Sequence, residues 1–229
     1  MDSEMKERIA AVRQRIAQAA QRAGRREEEI TLIGVSKTKP AALVNEALAC
    51  GIEDIGENRV QELLEKLPQL QGKPRVHLIG HLQTNKVKQV IGKVDLIHSV
   101  DSLKVAKEIS RQSQAAGVVT DVLLQVNIGR DENKFGILTE ELPEVLEGVS
   151  TLAGIRVRGL MTVPPIEQNS DKTRAHFRSL YKVFIDIPQI YDNIKMEYLS
   201  MGMSGDFEIA VEEGANLVRV GSAIFGSRV

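Results

Sequence analysis

Lys37 is the residue of this sequence whose type and position most directly indicate chemistry. It follows an apolar run of β-forming residues at 31–36, and Pro40 then opens the next predicted helix. This order places an amine at the carboxyl end of a strand, where ligands bind in chains that alternate strands and helices. Such an amine either pairs with a phosphate or condenses with an aldehyde or another carbonyl group.

Two small, hydroxyl-bearing turns near the end of the sequence could hold an anion. The first contains Ser204 and Gly205 and follows the seventh predicted strand; the second is Gly221-Ser222, after the eighth. Backbone N–H groups at a helix N-terminus, together with two serine hydroxyls, can bind a phosphate. Serine and glycine also cap helices where no ligand is present. Two such turns after consecutive strands favour the phosphate.

The elements that would position these residues alternate along the chain from residue 30. The predicted strands span residues 31–36, 53–56, 76–80, 95–99, 121–127, 155–162, 197–201 and 217–220. The predicted helices between them span residues 40–50, 58–67, 84–91, 102–116, 139–148, 170–186 and 205–213. Eight strand–helix units in 229 residues predict a closed (β/α)8 TIM barrel. An open doubly wound sheet is the alternative, but the GxGxxG fingerprint after the first strand is absent.

An amphipathic helix is predicted before the first strand, over residues 3–23. Its apolar stripe contains Ile9, Val12 and Ile16, and Gly24 ends it. Because it has no strand partner, we expect residues 1–24 to cap the barrel within a single domain that spans residues 1–229. Helix ends are also expected at Gly51, Gly92, Gly117, Gly148 and Gly214.

Composition argues against several classes of function. The formal net charge is -1, aromatic residues are 3% and tryptophan is absent, so neither nucleic acid nor a membrane surface is an expected partner. The single cysteine precludes an internal disulfide, and the four histidines lack metal-ligand spacing, so no metal site is expected. The charged N-terminus and the lack of an apolar stretch of about 18 residues predict a cytoplasmic protein.

Lys37 and the two turns are expected on one rim, because strands 8 and 1 are neighbours in a closed barrel. Arg219 lies between them at the end of strand 8. The arrangement suits a sugar phosphate whose carbonyl condenses with Lys37. It equally suits pyridoxal 5′-phosphate (PLP), whose aldehyde would do the same. The residues alone leave both ligands open.

Six segments of the sequence resemble the pyridoxal phosphate homeostasis proteins, the YggS/PROSC family. These segments span residues 34–38, 56–62, 77–86, 159–162, 199–206 and 218–221, in order over nearly the whole chain. The resemblance implies a fold-type III barrel similar to the N-terminal domain of alanine racemase. It also implies PLP as the cofactor.

Position by position, the resemblance implies the following roles. Lys37 would hold PLP as a Schiff base, and Ser204, Gly205, Gly221 and Ser222 would bind its phosphate.

The resemblance also implies contacts to the ring of the cofactor. Arg219 would face the pyridine nitrogen, and Asn58 would line the edge of the cofactor. Met161 and Met203 would pack near the ring.

Two further residues of the predicted rim have open roles. His81 ends the third strand and could be an acid or base, but we expect it to orient neighbouring loops through hydrogen bonds. Lys134, after the fifth strand, could help to transfer the aldehyde as a second amine, although a solvated loop lysine is the more usual case.

The sequence favours a PLP carrier in vitamin B6 homeostasis over a PLP-dependent amino-acid racemase, which stays the alternative. A two-base racemase needs a second proton donor opposite Lys37. None of the three tyrosines, Tyr181, Tyr191 and Tyr198, is expected at the rim. Only nine residues follow Val220, so we also expect no second β domain of the kind that closes the site in racemases of this fold.

Arg219 gives an electronic reason for the same preference. Arginine only donates hydrogen bonds, so a pyridine nitrogen that faces it must accept one and stay neutral. A neutral pyridine is a weaker electron sink than a pyridinium. We therefore expect a carrier. We also expect it to be a monomer, with PLP-dependent apoenzymes as its recipients.

Overall fold

The computed structural model describes residues 3–226, except residues 166, 168 and 189. Its parallel strands form a closed barrel in which consecutive strands pair and the last strand pairs with the first. The strands are β1 (Thr31–Val35), β2 (Asp54–Glu57), β3 (Arg75–Leu78), β4 (Leu96–Val100), β5 (Thr120–Gln125), β6 (Ile155–Met161), β7 (Ile194–Ser200) and β8 (Leu217–Val220). The predicted (β/α)8 barrel is confirmed, and the open doubly wound sheet is wrong.

Helices surround the barrel. In the described residues they are α1 (Ser3–Arg22), α2 (Ala41–Ala49), α3 (Val60–Lys66), α4 (Val87–Val90), α5 (Leu103–Ala116), α6 (Leu142–Ser150), α7 (Ser170–Asp186), α8 (Phe207–Glu212) and α9 (Ser222–Phe225). The predicted helix over residues 84–91 is instead a 3-10 turn, Thr84–Lys86, followed by the single turn of α4. None of these helices combines the length and apolar character that crossing a bilayer requires.

Two predicted boundaries are wrong for identifiable reasons. Strand β7 begins at Ile194 rather than at the predicted residue 197. The prediction missed its first half because the side chains of Lys195 and Glu197 there are exposed, which interrupts the apolar run. Gly148 lies inside α6 and does not end it. A Cβ at Gly148 would lie 2.8 Å from the Leu103 side chain, so this glycine permits close helix packing. The other four expected glycines have positive φ angles at helix ends.

Helix α1 completes the outer layer beside the very short α9. It packs against α2, α8 and α9, the helices next to β1 and β8. Its predicted apolar stripe of Ile9, Val12 and Ile16 is buried. Arg15 adds an ion pair to Glu208 at 2.6 Å.

The interior of the barrel is only partly aliphatic. One layer consists of the apolar side chains of Ile33, Leu96, Leu123, Met161 and Leu217. Barrel interiors usually continue in this manner from one rim to the other. Here, buried polar side chains from several strands share the interior with the apolar layer.

Candidate functional site

A cavity of about 370 Å³ opens at the carboxyl ends of the strands, where β8 meets β1. A larger groove runs along α5, so volume alone does not identify the site; the convergence of polar groups does. Eight of the nine residues that the resemblance assigned to a cofactor line this cavity: Lys37, Asn58, Met203, Ser204, Gly205, Arg219, Gly221 and Ser222.

Met161 is the exception. Its side chain is fully buried in the apolar layer of the barrel interior, against Ile33 and Leu123. Inward-facing side chains of a strand recur every second residue, and Val163, two positions on, reaches the cavity wall instead. Met161 therefore lies one layer below the cavity, and Val163 lines it.

Lys37 is held in a tight turn at the end of β1. The N–H of Lys39 donates to the carbonyl of Ser36 at 3.0 Å. Thr38 has a φ of 63°, a backbone conformation that residues other than glycine adopt only under constraint. The constraint includes a hydrogen bond of 2.8 Å from the Thr38 N–H to Glu62 Oε2. This geometry presents the half-buried Lys37 to the cavity.

A buried ion pair supports this turn from below. Lys66 Nζ donates to Glu57 Oε1 at 2.6 Å and to the Ser36 carbonyl at 2.7 Å. The Ser36 hydroxyl donates to the same Glu57 oxygen. Because Ser36 directly precedes Lys37, this network fixes the backbone that carries the amine. Sequence analysis missed Glu57 and Lys66, although both lie in or next to the segment at 56–62.

The two turns after β7 and β8 are joined by a hydrogen bond of 3.2 Å from the Gly221 N–H to Ser204 Oγ. Within the part of the chain that the structure describes, no hydrogen bond uses the N–H groups of Ser204, Gly205 and Ser222. Helices α8 and α9 are too short for a strong dipole, so anion binding here relies on these N–H groups and the serine hydroxyls. The arrangement fits a phosphate.

Arg219 points from β8 into the interior beside the cavity and is only 3% exposed. Its Nη1 donates to Ser200 Oγ at 2.6 Å, and its Nη2 donates to the Thr162 carbonyl at 2.8 Å. Burial lowers the pKa of Arg219 to about 10, against the opposing effect of the Asp206 charge. The side chain therefore stays cationic at neutral pH and retains N–H donors for a ligand.

Asn58 supplies a direct sign that a ligand belongs in this cavity. Its Oδ1 is buried and has no hydrogen-bond partner among the described residues. An unsatisfied buried acceptor costs about 1–3 kcal/mol, and a ligand that donates a hydrogen bond would remove this cost. Apolar walls complete the cavity: Val35, Ile79, Val163 and Phe225. A flat ring with polar substituents fits this lining.

His81 and Lys134 occupy neighbouring loops on the same rim. His81 Nδ1 lies 2.9 Å from Asp101 Oδ2, and its ring stacks on Phe135 with centroids 3.7 Å apart. These contacts are those expected of a histidine that orients neighbouring loops. Lys134 Nζ donates to the carbonyls of residues 163–164, at 3.4 and 2.5 Å, and so ties its loop to the cavity wall.

The tyrosines lie away from the cavity. Tyr198 is the fifth residue of β7, packs against the apolar layer and has Arg158 5.1 Å from its ring centroid. Tyr181 lies in α7 with 40% of its surface exposed, and Tyr191 follows that helix. No tyrosine among the described residues lines the cavity.

The chain is similar over nearly its whole length to proteins of known families. The family model described as "Alanine racemase, N-terminal domain" matches residues 8–229. The pyridoxal phosphate homeostasis protein of Aquifex aeolicus is 45% identical over 223 residues, which are 97% of this chain and 97% of that protein. The solved structure of PipY of Synechococcus elongatus PCC7942 with PLP bound has a TM-score of 0.86 and 34% identity, covering 97% of this chain and 100% of that chain.

A more distant solved structure shares the fold at low sequence identity. Alanine racemase of Clostridium difficile 630 has a TM-score of 0.74 at 18% identity, and the match covers 99% of this chain but 57% of that chain. This likeness shows the fold alone. The chain therefore belongs to the alanine racemase N-terminal domain family and, within it, to the pyridoxal phosphate homeostasis proteins.

Proposed function

We propose that this protein binds PLP at the cavity between β8 and β1 and serves the homeostasis of PLP. One observation carries the proposal: Lys37 and the joined turns of Ser204 and Gly221 line the same cavity. An amine and a phosphate site at one ring-sized cavity are the two groups that PLP requires. The names of close relatives and the PLP-bound PipY structure support it.

Each end of the cofactor has a partner in this cavity. Lys37 would supply the amine that holds the aldehyde end of the cofactor. Ser204, Gly205 and Ser222 would supply hydroxyl and N–H donors for the phosphate, and Gly221, whose N–H donates to Ser204 Oγ, would lie beside it. When bound, PLP supplies an electron-withdrawing ring and a reversible covalent link to amines. The turn at 36–39 keeps the Lys37 amine directed into the cavity.

The ring of the cofactor would contact a second group of residues. Arg219, which is held by Ser200 and Thr162 and faces the cavity, would donate toward the ring nitrogen. Asn58 Oδ1 would accept a hydrogen bond from the edge of the ring. Met203 and Val163 would cover the ring with apolar surface.

A carrier role fits this site better than a racemase role. Racemisation needs a proton donor and an acceptor on opposite faces of the substrate. Lys37 can serve one face, and no tyrosine of the described residues lines the cavity to serve the other. Arg219 stays cationic and keeps a ring nitrogen neutral. A carrier of this kind would be a single-domain monomer that acts in the cytoplasm and passes PLP to PLP-dependent apoenzymes.

Borohydride trapping tests the covalent link. The purified protein is saturated with PLP, reduced and digested, and the modified peptide is identified by mass spectrometry. We expect the pyridoxyl group on Lys37 and not on Lys39, which also lines the cavity. A label on Lys39 alone, or no label above that of the denatured protein, would reject the proposal.

A further inference from the structure

A continuous line of buried polar side chains crosses the interior of the barrel. Its members are Arg219, Ser200, His98, His77 and Asp54, which come from β8, β7, β4, β3 and β2. None of them is more than 4% exposed. Buried polar groups cost free energy unless every one is hydrogen-bonded. A line of five in a barrel interior therefore requires a physical explanation.

Consecutive members of this line are within hydrogen-bond distance. Arg219 Nη1 lies 2.6 Å from Ser200 Oγ, and that oxygen lies 2.9 Å from His98 Nδ1. His98 Nε2 lies 2.9 Å from His77 Nδ1. His77 Nε2 lies 2.9 Å from Asp54 Oδ1. We refer to these five residues as the interior chain.

When both imidazoles are neutral, the acceptor-only carboxylate of Asp54 at one end determines the direction of every hydrogen bond in the interior chain. The guanidinium of Arg219 at the other end can only donate, so Ser200 accepts from it and keeps its own proton to give to His98 Nδ1. His98 must then carry its proton on Nε2 and donate it to His77 Nδ1. His77 in turn carries its proton on Nε2 and donates to Asp54, whose carboxylate can only accept. One arrangement satisfies all five groups.

The charges of the groups in the interior chain agree with this arrangement. Burial, with the nearby His77 and Arg219, lowers the pKa of His98 well below its ordinary value, so His98 is neutral. Burial alone would raise the pKa of Asp54, but hydrogen bonds from Arg75 and His77 outweigh it and lower that pKa. Arg75 holds both carboxylate oxygens, at 2.7 and 2.6 Å. The far end of the chain is therefore a fixed acceptor.

We propose that His98 and His77 are positioning residues for Arg219. The Asp54 carboxylate fixes the proton position on His77, which fixes that on His98, and His98 then holds the Ser200 hydroxyl that orients the guanidinium at the cavity. Without His98, Ser200 is free to rotate and Arg219 retains only the Thr162 carbonyl as a fixed acceptor. The proposal rests on the proposed function, since it assigns the guanidinium to the ring nitrogen of PLP.

Nuclear magnetic resonance of the protein without PLP tests the direction of the hydrogen bonds in the interior chain, independently of PLP binding. In ¹⁵N-labelled protein, the ring nitrogens of His98 and His77 report which nitrogen carries the proton. We expect the proton on Nε2 of both rings. A proton on Nδ1 of either ring, or a protonated His98, would overturn the proposal.

The effect on Arg219 is measured by comparing PLP with its 1-deaza analogue, in which a C–H group replaces the ring nitrogen. Wild-type protein is expected to prefer PLP by about tenfold or more, as one charge-assisted hydrogen bond provides. His98→Leu removes both hydrogen bonds at similar volume, and its preference for PLP should fall close to one. His98→Gln retains one acceptor and one donor and should keep most of the preference. If His98 had only a structural role, His98→Leu would weaken the binding of PLP and of its analogue equally.

Two matched carboxylate variants at the far rim distinguish an effect of the interior chain from a general loss of stability. Asp54→Asn neutralises the end of the interior chain, and we expect it to reduce the preference for PLP. Asp121→Asn removes a similar carboxylate that pairs with Arg156 at 2.6 Å outside the chain, and should leave the preference unchanged. Equal effects of the two variants, or an unchanged preference in His98→Leu, would overturn the proposal.

The outcomes also distinguish this proposal from the proposed function. If wild-type protein binds neither PLP nor its analogue, the proposed function fails, and with it the assignment of Arg219 to the ring nitrogen. If it binds both equally, PLP binding stands and the positioning role of His98 is rejected. Thermal unfolding of each variant confirms that the compared proteins are folded.

Discussion

Ser204 Oγ accepts a hydrogen bond of 3.2 Å from the backbone N–H of Gly221, although the two residues belong to turns after different strands. This contact makes the turns after β7 and β8 one structural unit. The N–H groups of Ser204, Gly205 and Ser222 have no protein partners in the described part of the chain. The two turns therefore present unused N–H donors as one unit, as a phosphate site would require.

The first prediction compares Ser204→Ala with Ser222→Ala. Both variants lose a hydrogen bond to a charged phosphate, worth about 1.5–3 kcal/mol of binding free energy. Only Ser204→Ala also loses the link to Gly221, so it alone should lower the free energy of unfolding, by about 1 kcal/mol. Titration with PLP and chemical unfolding measure the two effects. Pyridoxal, which lacks the phosphate, is the control ligand. An equal loss of pyridoxal affinity would show that the serines do not contact phosphate.

The second prediction concerns Lys37. The saturated wild-type protein should be yellow, and Lys37→Ala should lose the absorption band of covalently bound PLP because the condensing amine is gone. Lys39→Ala, two residues away in the same turn, should keep the band. An unchanged spectrum in Lys37→Ala would contradict the assignment, and Lys134 would then be the next lysine to test.

Local patterns in the sequence were sufficient to predict the barrel and most of its rim. Alternating apolar runs and helix-ending glycines are local features, so the strand order and the placement of Lys37 followed from them. The boundary of β7 was missed because Lys195 and Glu197 are exposed within it. Met161 was placed one layer too high, since a strand pattern gives the facing of a side chain but not its depth.

The polar contacts of the interior could not be predicted in this way. His98 and Ser200 are 102 residues apart and meet only because the barrel closes. A serine and a histidine in buried strands carry no sequence signal that they will be partners. Nothing in the sequence around Lys66 indicates that its ammonium is buried against Glu57. Such contacts depend on the three-dimensional packing of strands that are distant in sequence.

The third prediction tests the ion pair beneath the Lys37 turn. Lys66→Met leaves Glu57 buried and uncompensated, so it should lower the free energy of unfolding by about 3–5 kcal/mol. The double variant Lys66→Met/Glu57→Gln should lose less, because no unpaired charge is left inside. Arg130→Met, at an exposed ion pair with Glu140, is the control and should cost about 1 kcal/mol or less. Urea unfolding measures all three; a double variant no more stable than Lys66→Met would refute the explanation.

The fourth prediction concerns acid stability. Hydrogen bonds from Arg75 and His77 outweigh burial and hold the pKa of Asp54 below its ordinary value of 3.8. A carboxyl group whose pKa is lowered by folding stabilises the protein above its unfolded pKa and loses this effect as the pH falls through its folded pKa. The stability difference between wild type and Asp54→Asn should be full above about pH 5 and shrink below pH 3.8. Urea midpoints measured across this range test the prediction, and a constant difference would contradict it.

The last prediction is that the protein does not efficiently turn over common L- or D-amino acids. Lys37 can move a proton on one face of a substrate, but the cavity has no tyrosine on the other face among the described residues. Arg219 would keep the ring nitrogen of a bound PLP neutral, so a carbanion next to the ring would be poorly stabilised. Racemisation should therefore fall far below the usual enzyme range of about 1–1000 per second. Exchange of the α-hydrogen in deuterated water measures this, with Lys37→Ala plus free PLP as the background. Rapid exchange that requires Lys37 would establish a racemase in place of a carrier.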